Sequence, residues 1–188
     1  PAFERGTVTL ERPLSTVLGE TKHDLARQSF LESAWNTLFN DALRETFDAD
    51  LAVSHGNRYG QAIPAGEITL GDVYTFYPMT AQIAVGDAWG QQLQNHVEDY
   101  LIDNFTSHVY DQEDGRVRAF SSNVELVVDP TAKRGRRLVS MQIDGREIDP
   151  DTTYRVATFR RPGAPERDLG GCGFPFRDVE IESDTIPV

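Results

Sequence analysis

Apolar residues at Leu31, Ala34, Trp35, Leu38, Phe39, Ala42, Leu43 and Phe47 recur at three- and four-residue spacing. On a helix that spacing gathers them on one face, so the stretch predicts an amphipathic helix with Trp35 and Phe39 in the core. Asn36, Asn40 and Asp41 fall off the centre of the stripe. A second stripe, Trp89, Leu93, Val97, Tyr100, Leu101 and Phe105, predicts another long helix opened by Gly86-Asp87. His96 lies beside that stripe and reads as a hydrogen-bonded packing residue rather than a ligand.

Between the two helices, Leu51-Ala52-Val53 is a short apolar run of the buried-strand type. Pro64 to Glu67 reads as a turn, and Thr69, three residues before Asp72, as the cap of a short helix through Val73 and Tyr74 that Pro78 ends. Ala81 to Val85 predicts a strand. At the start, Thr7 to Leu10 fits an edge strand closed by Pro13. Further on, Thr106 to Ser122 reads as a polar loop bearing Arg116 and Arg118. Val124 to Val128 and Leu138 to Ile143 are strands, with an Asp144-Gly145 turn leading back toward Ile148. Tyr154 to Phe159 is the last strand, and Arg160 to Phe176 a Gly- and Pro-rich loop. Helices and strands alternate in no strict order, so the residues predict a mixed α+β or α/β fold, with residues 1–188 as one domain.

A formal net charge of -12 argues against non-specific binding to nucleic acid or an anionic membrane, both of which need excess Lys and Arg. Cys172 is the only cysteine, which excludes an intramolecular disulfide and a cysteine-rich zinc site. No apolar run approaches the ~18 residues of a membrane span. The chain starts Pro-Ala-Phe-Glu-Arg, without the basic and apolar segments of a signal peptide, so the residues do not give a compartment.

The apolar run at Leu51 leads into Ser54-His55-Gly56-Asn57-Arg58-Tyr59-Gly60, where two glycines bracket an arginine and an aromatic ring. Such a loop at a strand end presents Arg58 to a cleft; the alternative is that Arg58 pairs with a surface carboxylate. No catalytic centre accompanies it. His23, His55, His96 and His108 show no metal-ligand spacing, no serine sits in a Gly-x-Ser-x-Gly elbow, and there is no Gly-rich phosphate loop with its lysine. The second basic feature is Lys133-Arg134-Gly135-Arg136-Arg137, four cations in five positions. It suits a sulfate, a phosphate or an acidic partner, or a solvated loop whose cations pair with nearby acids.

A helix ending Asn40-Asp41-Ala42-Leu43-Arg44, the strand with its Gly-x-Arg loop, and Pro64-Ala65-Gly66-Glu67-Ile68-Thr69-Leu70-Gly71-Asp72-Val73-Tyr74 follow in that order. This arrangement resembles the C-terminal domain of the 5'-nucleotidase superfamily, two-domain hydrolases whose metallophosphoesterase domain holds two metals. The likeness runs from about Glu20 to the region of Phe176. Within the superfamily, Ser54-x-Gly56-x-Arg58-Tyr59-Gly60 is similar to the Ser-Pro-Gly-Phe-Arg-Trp-Gly loop of the thiosulfohydrolases of the Sox sulfur-oxidation system. Asp129-Pro130-Thr131-Ala132-Lys133-x-Gly135-Arg136-Arg137 is similar to their Asp-Pro-Thr-Ala-Lys-x-Gly-Arg-Arg segment. Met79 stands where nucleotidases carry a base-stacking phenylalanine, and Cys172 replaces the aspartate of their Gly-Gly-Asp-Gly-Tyr segment.

The resemblance implies an α+β fold, a mixed sheet packed with helices. It implies substrate contacts from Arg58, Asn57, Tyr59, Gly56, Gly60 and Asn40, and no catalytic or metal-ligating residue in this chain. Two divalent metals, manganese by that likeness, would belong to an N-terminal metallophosphoesterase domain absent from the chain, and the chain alone would be inactive. The implied reaction releases sulfate from a cysteine-bound sulfonate on a sulfur-carrier protein in the periplasm, with no nucleic-acid or membrane partner. The rival expectations are a periplasmic nucleotidase in which Phe76 or Phe174 holds the base, and a non-catalytic module that binds an anion or partner through Lys133, Arg134, Arg136 and Arg137.

Overall fold

The computed structural model describes residues 12–26, 31–55, 60–77, 82–106, 110, 118–160 and 177–183. In chain order the elements are β1 (Val17–Thr21), α1 (Ala34–Thr46), β2 (Leu51–His55), β3 (Gly66–Thr69), α2 (Leu70–Phe76), β4 (Gln82–Trp89) and α3 (Gly90–Asn104). There follow β5 (Arg118–Phe120), β6 (Val124–Val128), β7 (Leu138–Ile143), β8 (Arg146–Glu147), β9 (Thr153–Arg160) and β10 (Arg177–Ser183). The main sheet has the order β10-β4-β9-β2-β5 and is antiparallel except for the parallel pair of β2 and β9. β1 and β3 form a separate antiparallel ribbon, and β6, β7 and β8 a three-stranded sheet. The fold is α+β, as the sequence predicts.

Alternation along β2 and β9 sends their side chains to opposite faces of the main sheet. On one face Leu51, Val53 and Val156 pack with Leu93, Val97 and Leu101 of α3 and with Met141 and Ile143 of β7. On the other, Ala52 and Ala157 meet Leu43 of α1, with Ile83 and Val85 of β4. Each fully buried aliphatic side chain of this kind stabilises the fold by about 1.5–3 kcal/mol relative to exposure. A third cluster, Leu25, Trp35, Ile63, Ile68 and Phe76, joins α1 and α2 to the β1–β3 ribbon.

Local chemistry sets the helix ends. Ser33 Oγ accepts from Asn36 N at the start of α1. Thr69 and Asp72 form the capping box of α2: Asp72 N donates to Thr69 Oγ1 at 3.2 Å, and Thr69 N donates to Asp72 Oδ2 at 2.8 Å. Thr69 Oγ1 also donates to Asp72 Oδ2 at 2.6 Å, and this bond, then the one from Thr69 N, holds the Asp72 carboxyl below the usual carboxylate range.

The structure revises several boundaries. Gly86 to Trp89 continue β4 rather than opening α3, because each pairs with a residue of β9, from Gly86 with Val156 to Trp89 with Thr153. Gly66 and Glu67 belong to a strand rather than a turn, since β1 pairs with them as Thr21 with Gly66 and Glu20 with Glu67. Arg118 to Phe120, expected in a loop, pair with β2. Arg160 ends β9, which is not the last strand: β10 follows and pairs with β4. Leu31 and Leu38 are exposed although they share the apolar spacing of α1, while Asn36 and Asn40 are buried. Thr7 to Leu10, Pro78 and residues 161–176 lie outside the described residues.

Candidate functional site

In β2 and β9 the chain runs the same way, so their carboxyl ends, His55 and Arg160, lie at one edge of the main sheet. β4 and β5 are antiparallel to them and start at that edge, at Gln82 and Arg118. The register pairs Gln82 with Arg160 and His55 with Arg118, and Val53 with Thr158 two residues earlier. Gln82, Arg160, His55 and Arg118 therefore form one row across four strands. The crevice outside the carboxyl ends of parallel strands is a preferred place for ligands in open sheets.

Arg118 Nη1 donates to His55 Nδ1. A guanidinium has no acceptor, so His55 receives through Nδ1 and keeps its own proton on Nε2. His55 is buried and its ring meets Phe159 at 5.5 Å, tilted. His96 of α3 lies in the same neighbourhood: burial, then its electrostatic interactions with Arg118 and with the His55 ring, push its imidazole down to about 3, so it is neutral near pH 7. Its ring meets that of Tyr100 edge-on at 6.1 Å. Burial raises the Tyr100 hydroxyl, against the pull of Arg118. The row gathers two guanidiniums beside the His55 imidazole; Arg160 is 7% exposed and Arg118 is engaged with His55, so they make this edge positive from within rather than standing open on it. Among the described residues no group of three or more His, Cys, Asp or Glu side chains gathers to hold a metal ion.

The segment expected to contact substrate leaves this edge. Gly56, Asn57, Arg58 and Tyr59 follow His55 directly and lie outside the described residues, as do Met79 and Cys172. Gly60 is described, is exposed and has φ 153°, a backbone that favours glycine. Asn40 sits on the face of α1 that packs on the sheet, with no exposed surface. Neither its amide oxygen nor its nitrogen finds a hydrogen-bond partner among the described residues. Ser54 Oγ, two residues along β2 from Ala52 and so on the same face, also has none. Asn40 is thus enclosed behind the edge rather than exposed on it. Phe76 is in the core, its ring 4.5 Å from that of Trp35, and is not available to stack on a base.

Arg118 and Arg160 are the edge residues that reading by periodicity missed. Each is a cation adjoining a short strand segment, Ala119-Phe120 or Ala157 to Phe159, but neither is bracketed by glycines, the signal that singled out Arg58.

The basic segment splits into two. Lys133, Arg134 and Arg136 are exposed at the turn between β6 and β7, whereas Arg137 is 8% exposed. The Arg137 guanidinium donates to the carbonyls of Leu101 at 3.2 Å and Phe105 at 2.8 Å, closing the end of α3. Its backbone N–H and that of Leu138 donate to Glu98. Arg137 is a helix cap and is not offered to an outside anion.

The family described as the 5'-nucleotidase C-terminal domain matches residues 15–160. Protein UshA of Yersinia enterocolitica is 27% identical over 187 residues, all of this chain and 30% of that protein. The trifunctional nucleotide phosphoesterase YfkN of Bacillus subtilis is 29% identical over 136 residues, 70% of this chain and 8% of that protein. The sulfate thiohydrolase SoxB of Thermus thermophilus has a similar fold, with a TM-score of 0.73 and 24% identity over 89% of this chain and 31% of that one. A 5'-nucleotidase precursor from Thermus thermophilus reaches a TM-score of 0.59 at 24% identity, covering 77% of this chain and 29% of its own. The chain thus spans less than a third of these proteins, and no described helix is long and apolar enough to cross a membrane. With the family match extending over the ribbon, both flanking helices and the sheet edge, the chain belongs to the 5'-nucleotidase C-terminal domain family.

Proposed function

We propose that this chain is the substrate-binding domain of a two-domain, metal-dependent hydrolase of the thiosulfohydrolase kind. That enzyme releases sulfate from a cysteine-bound sulfonate on a sulfur-carrier protein. The observation that carries the reading is the row Gln82, Arg160, His55 and Arg118, from which the Ser54 to Gly60 segment leaves toward Arg58. An edge already holding two guanidiniums favours a compact, fully ionised oxyanion. Arg58 neutralises that group while Asn57 and Tyr59 shape the cleft between Gly56 and Gly60, and Asn40 supports it from the interior. A metallophosphoesterase domain elsewhere in the protein supplies two divalent metals, manganese, and with them the hydrolytic chemistry. The periplasm is the compartment that goes with this reaction.

A nucleotidase is the second reading, favoured by the UshA and YfkN relatives. It is weakened by Phe76 being packed on Trp35, which leaves Phe174 as the aromatic expected to hold a base.

Two measurements on the full-length protein test the choice. Calorimetric titration with S-sulfocysteine and with AMP should show binding of the sulfonate and weak binding of AMP, since one lost stacking contact removes ~1–3 kcal/mol. Low-micromolar AMP affinity that Phe174→Ala abolishes establishes the nucleotidase instead. Arg58→Ala should lower kcat/KM by ~10²–10³-fold with an unchanged Tm, as for loss of one electrostatic stabiliser. Unchanged turnover in both Arg58→Ala and Arg58→Lys reduces Arg58 to a surface ion pair.

A further inference from the structure

Lys133, Arg134 and Arg136 stand exposed within four positions of a chain whose formal net charge is -12. Their side chains make no hydrogen bond or ion pair to any described residue. The turn that presents them is held firmly. Thr131 N and Oγ1 both donate to Asp129 Oδ1, at 2.9 and 2.7 Å, and Ala132 N donates to Asp129 O. Arg136 N donates to Lys133 O across Gly135, whose φ of 77° suits glycine. Behind the turn, the Arg137 and Glu98 contacts tie it to α3. The backbone that carries the three cations is thus ordered before any partner arrives, which lowers part of the entropic cost of binding.

We propose that the turn between β6 and β7 is a docking site for a short acidic segment of another polypeptide, with Asp or Glu residues clustered to meet Lys133, Arg134 and Arg136. Charge complementarity argues for this occupant. A nucleic acid or an anionic membrane extends beyond a Debye length, about 8 Å at physiological salt, and meets the repulsion of the remaining acidic surface. A short segment meets only the local patch. Free phosphate or sulfate is disfavoured here, because all three cations are exposed and the cavity beside Gly135 is lined by amides and by the carboxylates of Glu98 and Glu147. The same strands add exposed apolar surface at Val127 and Val139, 45% and 62% exposed, which suits a segment mixing acidic and aliphatic residues. None of the three cations belongs to the edge row, and the occupant proposed for them does not depend on the substrate read there.

The test uses the full-length protein and a fluorescein-labelled octapeptide alternating glutamate and valine. Fluorescence anisotropy is read at about 50 and 200 mM salt, with polyphosphate and phosphatidylserine vesicles as competitors. Binding of the peptide should weaken at least ~10-fold on raising the salt and at least ~10-fold in the triple variant Lys133→Glu, Arg134→Glu, Arg136→Glu. Being exposed, the three substitutions should leave the Tm unchanged, and the triple glutamine variant checks the result without charge reversal. No binding to the wild-type protein overturns the proposal, as does binding that the triple variant retains. Displacement of the peptide by polyphosphate or vesicles at lower concentration than by unlabelled peptide reassigns the turn to those anions.

Discussion

Helices α1 and α3 pack on opposite faces of the same sheet and bury different chemistry. α3 turns Leu93, Val97 and Leu101 inward, each 2% exposed or less. α1 turns Trp35, Asn36, Asn40 and Leu43 inward and leaves Leu38 45% exposed. The strand face beneath α3 presents Leu51, Val53 and Val156, and the face beneath α1 presents Ala52 and Ala157. One side is thus an aliphatic layer held by burial, and the other a closer-packed layer into which amides have been admitted. Asn40, whose amide finds no partner among the described residues, is the costly member of that layer, which points to a role other than packing.

The comparison breaks most readily on the aliphatic side. Leu93→Ala should destabilise the fold by ~2–5 kcal/mol, the loss expected for a buried leucine whose surroundings relax only in part. Urea denaturation read by circular dichroism checks this, and a loss below ~1 kcal/mol means that the α3 layer collapses around the gap.

A smaller effect belongs to His96, at the margin of that layer. Its imidazole stays neutral in the fold down to about pH 3, while the unfolded chain takes up a proton near the ordinary histidine value of 6.5. The unfolded state therefore holds more protons between these values, and stability falls as the pH falls. The slope approaches about 1.4 kcal/mol per pH unit for one proton. The hydrogen-bonded carboxylate Asp72 loses its stabilisation in the same direction but from below the ordinary carboxylate value of 3.8. Denaturation midpoints at pH 7, 6 and 5 should decline in the wild type and flatten in His96→Phe. Parallel declines in the two proteins would mean that His96 takes up its proton in the folded state.

The smallest change is expected on the polar side. Asn40→Ala removes an amide that no described residue satisfies, so it should cost less than ~1 kcal/mol, well below Leu93→Ala. A loss above ~2 kcal/mol would show that the amide has a strong partner, and the two helices would then differ less than their burial suggests.

The residues themselves determined most of the architecture. The apolar spacing located both long helices, the run at Leu51 located β2, an interior strand of the main sheet, and Thr69 with Asp72 located the short helix to its first residue. These are local signals, set by helix and strand periodicity and by side chains bonding to nearby backbone. The order Asn40 to Arg44 and Pro64 to Tyr74 likewise led to the family that matches residues 15–160.

Only the tertiary structure decided matters that depend on partners distant in the chain. Trp89 is a strand residue because Thr153 pairs with it, and Arg118 faces His55 across 63 positions. Asn40 is enclosed and Leu38 exposed because neighbouring elements, rather than the helix's own period, choose which part of α1 meets the sheet. Lys133, Arg134, Arg136 and Arg137 are one basic run in the sequence. The carbonyls of Leu101 and Phe105 separate Arg137 from the other three. A carbonyl at the end of a helix leaves no trace at the arginine's own position, so a cation turned inward and one turned to solvent are spelled alike.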